Sequence, residues 1–177
     1  EFWQRSLAIR ALVISTADDI EMRLNFAALC RKDGRFNAAQ TCLARLLDRR
    51  PEELSLDTLD PATCVAHPEV VFNYLKLHWS MAEKSADEAV TRDRTLDALH
   101  SYIKRWSQER VTHAGAREHG SFDPFLASCY RQAGLWQAAC NTEGTMDAQI
   151  LKSYQKATEL NSGWFKAWSS WALMNYE

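Results

Sequence analysis

The sequence predicts an all-α protein, an α-solenoid of antiparallel helix pairs built from irregular repeats. Three observations carry that expectation. Apolar residues recur at helical spacing along most of the chain, and no segment sustains the period-two alternation of a half-buried strand. Breakers are scarce, with 6 glycines and 4 prolines in 177 residues, so helices meet few interruptions. A short pattern is also written twice: Ala27, Gly34, Phe36, Ala38 and Ala39 recur as Ala127, Gly134, Trp136, Ala138 and Ala139. Glycine accepts the positive φ that ends a helix tightly, and the small residues let two helices approach closely. Gly34 and Gly134 are therefore both expected to be turns.

Each element has its own justification. Residues 2–14 read as a first helix on Leu7, Ala8, Ala11 and Leu12, broken at Ser15, Thr16 and Ala17. Asp18 can cap the second helix, with Glu21 completing a capping box, and Met22, Phe26, Leu29 and Cys30 form its apolar face. After the Gly34 turn, a third helix over 35–49 uses Phe36, Ala39, Leu43, Leu46 and Leu47, and Pro51 ends it. Residues 51–67 form the longest irregular stretch. His67 and Pro68 start another helix, because proline suits the first helical position. A charged helix covers about 87–110 on Val90, Leu96, Leu99, Ile103 and Trp106, and 115–121 is a loop. Asp123 and Pro124 open the next helix by the same cap-then-proline logic. Gly134 is expected to turn it into a short helix over 135–140 that breaks at 141–145. Two further helices, 147–161 and 164–176, are parted by Asn161, Ser162 and Gly163. The chain is thus one segment, 1–177, of helix pairs over about 2–50, 68–113, 121–141 and 147–177.

Composition narrows the class. A 46% hydrophobic and 25% charged content fits a folded chain and argues against disorder. A net charge of -2 offers no electrostatic reason to expect nucleic acid or an anionic membrane as partner. No run of 18 apolar residues exists, so direct membrane insertion is not expected. Five cysteines, an odd number without CxxC spacing, read as free thiols of a reducing, cytoplasmic compartment. Both ends lack the marks of a natural start or stop, and the expectation is a piece of a longer chain.

Sequence candidates for chemistry are few. Cys64 and His67 make half of a metal-ligand spacing without a second pair. His113, Glu118 and His119 have the wrong spacing for a zinc-protease helix, and Gly115 interrupts them. There is no glycine-rich phosphate loop, no His-Arg-Asp and no Asp-Phe-Gly, so the segment is not read as an enzyme. Trp164, Trp168 and Trp171 stand at i, i+4 and i+7 on one face of the last helix, and Trp136 accompanies the second glycine. An aromatic cage is one reading. Packing between repeats is the simpler one, and it predicts that Trp168→Ala costs about 3–5 kcal/mol.

The repeat pattern resembles a tetratricopeptide unit. Ala27, Cys30, Gly34, Phe36, Ala39, Leu43, Leu46 and Pro51 fall on its positions, as do Ala127, Tyr130, Gly134, Trp136 and Ala139, followed by Tyr154, Ala157 and Leu160. Longer motifs carry a more specific resemblance. Leu29, Cys30, Lys32, Gly34 and Arg35 form one, and His67 to Val70 with Tyr74, Lys76 and Trp79 form a second. Ala127 with Cys129 and Gly134 to Gln137 forms a third, and the run Trp164 to Glu177 a fourth. In this order they resemble the FAT region of target-of-rapamycin (TOR) kinases, over nearly the whole chain. The 83–122 stretch departs most.

That resemblance implies a non-catalytic scaffold segment of a large serine/threonine protein kinase, clamping the kinase domain and contributing to regulation and complex assembly. ATP and Mg would belong to the kinase domain, outside this segment. The partners would be the rest of the parent chain and the protein subunits of a kinase complex. The resemblance also implies an inositol-polyphosphate-type anion site, with inositol hexakisphosphate as the ligand. Lys32 and Lys166 match family basic positions; Asn25, Ser128 and Gln132 stand where the family carries charge, and Arg131 lies beside Gln132. Lys32, Lys166 and Arg131 are the expected anion-binding residues. The alternative is a free-standing tetratricopeptide-type adaptor that grips a peptide.

Overall fold

A computed structural model describes residues 2–10, 12–15, 19–59, 66–83, 87–113, 122–141 and 148–176. These form eight α-helices and two short 3-10 turns, with no strand among the described residues, as the all-α expectation requires. The chain divides into two compact units, Glu1–Ala86 and Asp87–Glu177.

In the first unit, α1 (Phe2–Arg10) is shorter than its apolar pattern suggests. The chain leaves the helix through turn bonds from Val13 and Ile14 N–H to Arg10 O at 3.0 and 2.8 Å. Leu12, expected on the buried face, is 84% exposed. Charge ties α1 down instead: Arg10 Nη2 lies 2.8 Å from Asp19 Oδ1, and Arg23 Nε lies 3.6 Å from Asp19 Oδ2. Asp19 holds the N-cap position of α2 (Ile20–Lys32), yet its buried carboxylate serves the two arginines and makes no cap bond. Asp18, the expected cap, lies outside the described residues.

The Gly34 turn is as predicted, and its mechanism is complete. Gly34 has φ 74°. Its N–H donates to Arg31 O at 3.1 Å, and Arg35 N–H reaches back to Cys30 O at 2.8 Å. These paired bonds satisfy carbonyls that the end of α2 would otherwise leave orphaned. α3 (Phe36–Leu46) ends the same way, although no glycine signals it: Asp48 adopts φ 52°, and Arg49 N–H bonds Ala44 O at 3.0 Å. Aspartate is one of the few non-glycine residues that visits this region routinely.

The stretch after α3 is anchored rather than loose over its described part. Two 3-10 turns, Pro51–Glu53 and Leu56–Thr58, flank the buried Leu54. The Tyr74 hydroxyl donates to Leu54 O at 2.6 Å, and Gln40 Nε2 donates to Pro51 O at 2.9 Å. His67 then holds the N-cap position of α4 (Pro68–Ala82) without a side-chain cap bond, and Pro68 stands at the first helical position as predicted. α4 packs on α2 and α3, and Phe26, Cys30, Leu43, Tyr74 and Leu77 meet in the core.

The second unit holds α5 (Glu88–His113), α6 (Pro124–Cys140), α7 (Ala148–Leu160) and α8 (Phe165–Met174). α6 packs on both α5 and α7, and α8 packs on α7. Asp123 opens α6 as predicted, accepting the Leu126 N–H at 2.9 Å with Pro124 at the first helical position. Its own N–H bonds Leu160 O at 2.9 Å, joining the start of α6 to the end of α7.

Gly134 is not a turn. α6 runs unbroken from Pro124 to Cys140, so the expected short helix over 135–140 is its last turns. The reason for glycine is contact. A Cβ built at 134 would lie 2.7 Å from Tyr154 Cε1, on the facing side of α7. The helix ends at Cys140, where the sequence places the break, and Asn141 carries the extended C-cap.

Candidate functional site

The three expected anion-binding residues sit on two units. Lys32 is the last residue of α2 and is exposed; its ammonium forms no ion pair among the described residues. Its basic neighbours are engaged. Arg31 turns inward, donating from Nη1 to Ser80 Oγ of α4 at 3.0 Å, and burial pulls its pKa down while Glu83 opposes that shift. Arg35 pairs with Asp33 at 2.8 Å on the surface. A helix places adjacent residues about 100° apart, so Arg31 and Lys32 face different ways, and Arg35 lies beyond the Gly34 turn at the start of α3.

In the second unit, Arg131 and Lys166 come together. Arg131 on α6 directs Nε–H at the backbone carbonyl of Lys166, at 3.2 Å, and at Ser170 Oγ, at 3.0 Å. Ser170 Oγ donates to the same Lys166 carbonyl at 2.9 Å. The guanidinium carbon stands 5.6 Å from the Trp164 ring centroid, within cation–π range. Lys166 itself is exposed near the start of α8. Of the positions where charge is missing, Asn25 is exposed and Ser128 Oγ bonds Pro124 O at 2.9 Å within its own helix. Nothing in one sequence signals the Arg131 contact, because its partners lie 35 and 39 positions away.

The tryptophans differ in burial. Trp136 is buried, at 4% exposure, but Trp168 is 43% exposed and α8 buries only Ala167. Trp168 is held by its indole N–H on Ser162 O at 2.7 Å and by ring contact with Trp171 at 5.4 Å. Of the three aromatics at helical spacing, Trp164 and Trp171 are half-buried and Trp168 is exposed. Within the described residues Trp136 is buried as repeat packing expects, whereas Trp168 is half exposed.

Other candidates contribute little chemistry. Cys30, Cys42, Cys129 and Cys140 are free thiols, and burial pushes Cys42 up to about 11, which keeps it protonated and inert. Cys64, Glu118 and His119 lie outside the described residues, as does the side chain of His113. Among the described residues no group of three or more His, Cys, Asp or Glu is arranged to hold a metal ion. No described helix is long and apolar enough to cross a membrane.

The described residues form only helices and short 3-10 turns, with a glycine-terminated helix pair in the first unit. The chain belongs to the FAT-domain family, whose model matches residues 1–177. It is similar over its whole length to TOR kinases. It is 35% identical to "Serine/threonine-protein kinase TOR" of Arabidopsis thaliana over 99% of this chain. It is 34% identical to "Serine/threonine-protein kinase tor1" of Schizosaccharomyces pombe and 32% identical to "Serine/threonine-protein kinase TOR2" of Saccharomyces cerevisiae, each over 100% of this chain. It spans 7%, 8% and 7% of those relatives, respectively.

Proposed function

We propose that this chain is a non-catalytic helical scaffold within a TOR-type serine/threonine protein kinase, and that it clamps the kinase domain and contributes to regulation and complex assembly. The observation that supports this most is the FAT-family match over all 177 residues, carried by relatives that are themselves TOR kinases. Its partners are the rest of the parent chain and the protein subunits of a cytoplasmic kinase complex. ATP and Mg act in the kinase domain of the parent.

The same reading assigns an inositol-polyphosphate-type anion, inositol hexakisphosphate, to the exposed cations. The second unit offers the better-defined candidate, Arg131 with Lys166. Lys32 is a separate candidate on the first unit. Phosphate oxygens accept charge-assisted bonds from such groups, and several converging cations are needed for tight binding.

The test is made on the full-length parent kinase. Core substitutions that unseat a helix pair, such as Leu43→Asp in the first unit or Ala133→Asp in the second, are assayed for peptide phosphorylation and for co-purifying subunits. A scaffold role predicts loss of both while ATP still binds the kinase domain. Full activity and an intact complex in a chain whose FAT helices have demonstrably unfolded would end the proposal.

A further inference from the structure

Arg131 is the one expected anion ligand whose side chain is already at work inside the protein. Its Nε–H is shared between Lys166 O and Ser170 Oγ, and its guanidinium carbon lies over the Trp164 ring. Phosphate is gripped best by two parallel N–H donors of one guanidinium, and the edge that includes Nε is occupied. The tie reaches α8, a 10-residue helix that buries only Ala167 while Phe165 and Leu173 are 79% and 65% exposed. Short helices draw their stability from packing and tertiary ties, and the Arg131 bonds are one such tie among the described residues.

We infer that Arg131 is a positioning residue: it fastens the first turns of α8 to α6 and so fixes the backbone from which Lys166 presents its ammonium group. The inference rests on reading the Arg131–Lys166 face as an anion site. It differs from that reading in giving Arg131 the task of clasp and Lys166 the task of ligand. The acceptor of the clasp is Lys166's own carbonyl, so the two roles meet at one residue.

Two substitutions separate clasp from ligand. In Arg131→Gln the side-chain amide nitrogen sits at the branch position of Nε, so a donor remains for Lys166 O while the charge is lost. In Arg131→Lys the charge remains, but the donor at the Nε position and the planar face are lost. The experiment uses the full-length parent kinase, with inositol hexakisphosphate binding measured by calorimetry and amide hydrogen exchange followed over residues 164–176. The clasp predicts faster exchange in Arg131→Lys and near-native exchange in Arg131→Gln. It also predicts that Arg131→Lys and Lys166→Ala each weaken binding by about tenfold, while Arg131→Gln stays within about threefold. Ser170→Ala, which removes one acceptor and leaves all charges, shifts exchange in the same direction as Arg131→Lys.

The reverse ranking, with Arg131→Lys native-like and Arg131→Gln impaired, would make Arg131 a ligand and overturn the inference. Native exchange and binding in both variants would overturn it as well. If the unsubstituted kinase does not bind the polyphosphate, the anion reading is lost. The exchange ranking then still decides the clasp, since an unchanged rate over 164–176 in Arg131→Lys removes it.

Discussion

Gly134→Ala is the sharpest probe of the second unit, because the sign of its effect depends on why the glycine is there. A mid-helix glycine with open space around it is a defect, and replacing it with alanine stabilises by about 1 kcal/mol. Here the added methyl would meet Tyr154 Cε1 at 2.7 Å and Cζ at 2.9 Å. Carbon atoms rest at about 3.5–4.0 Å, so the ring must retreat by about 0.8 Å. Tyr154 is only 3% exposed and cannot swing into solvent. Overpacking of a core costs about 1–3 kcal/mol, and moving a whole buried ring belongs at the upper end. Subtracting the propensity gain leaves about 2 kcal/mol of net destabilisation. Urea unfolding of the 177-residue chain, followed by helical circular dichroism, reads this as a lower midpoint at unchanged slope. Gly163→Ala is the control: nothing lies within 4 Å of its Cβ position, so it is neutral or slightly stabilising. An unchanged or raised midpoint in Gly134→Ala would refute the close-contact account of α6 and α7.

Three further outcomes follow from the same geometry. Gly34→Ala places a Cβ at φ 74° and costs about 1 kcal/mol through backbone strain, with Gly34→Asn milder, both measured by urea midpoint. Trp168→Ala costs about 1 kcal/mol because much of the ring already faces solvent, whereas Trp136→Ala costs about 3–5 kcal/mol; equal losses in thermal unfolding would contradict their burial. Acidification weakens the second unit through His100. Ser153 Oγ donates to Gln137 Oε1 at 2.8 Å, and Gln137 Nε2 faces His100 Nε2 at 3.4 Å, an arrangement that suits an unprotonated ring nitrogen. Burial holds the His100 pKa below its ordinary 6.5, against the opposing pull of Asp97. The folded state therefore binds fewer protons than the unfolded one. This contribution to stability is complete above about pH 6.5 and declines as the pH falls through the folded value. A His100→Gln chain should show a flatter urea midpoint between about pH 7.5 and 5.5, and an identical slope would rule out His100 as its source.

Helix existence was legible because it rests on local periodicity and caps. Asp123 with Pro124, His67 with Pro68, and Gly34 all act through atoms within a few residues, and each behaves as its local chemistry requires. What escaped was set by distant partners. Asp19 is drawn from capping to Arg10 and Arg23, and Asp48 takes the role that glycine plays elsewhere. Leu12 has the right spacing for burial and no described surface to bury against. The candidate site follows the same division: Lys32 and Lys166 stand in local motifs, but the Arg131 contact depends on how α6 and α8 meet.

The written echo between residues 27–39 and 127–139 separates into a part with one physical cause and a part with two. Ala27 and Ala127 are both buried, at 2% and 0% exposure, each on a helix that ends in or passes its glycine. Beyond the glycines the copies part. Gly34 closes α2, so Ala39 lies on the returning helix and is fully buried. Gly134 lies inside α6, so Ala139 is still on the outgoing helix and is exposed. Tyr154 on α7 occupies the space that the missing Cβ leaves, which a turn glycine would not offer to a partner helix. Identical letters at fixed spacing thus answer two different demands, a backbone angle in one unit and an interhelical contact in the other. The substitution that tells them apart is one that tolerates positive φ but carries a side chain. Asparagine should be accepted with little loss at Gly34, where the turn needs only the angle. At Gly134 it should cost more than alanine, because every added atom presses on the Tyr154 ring.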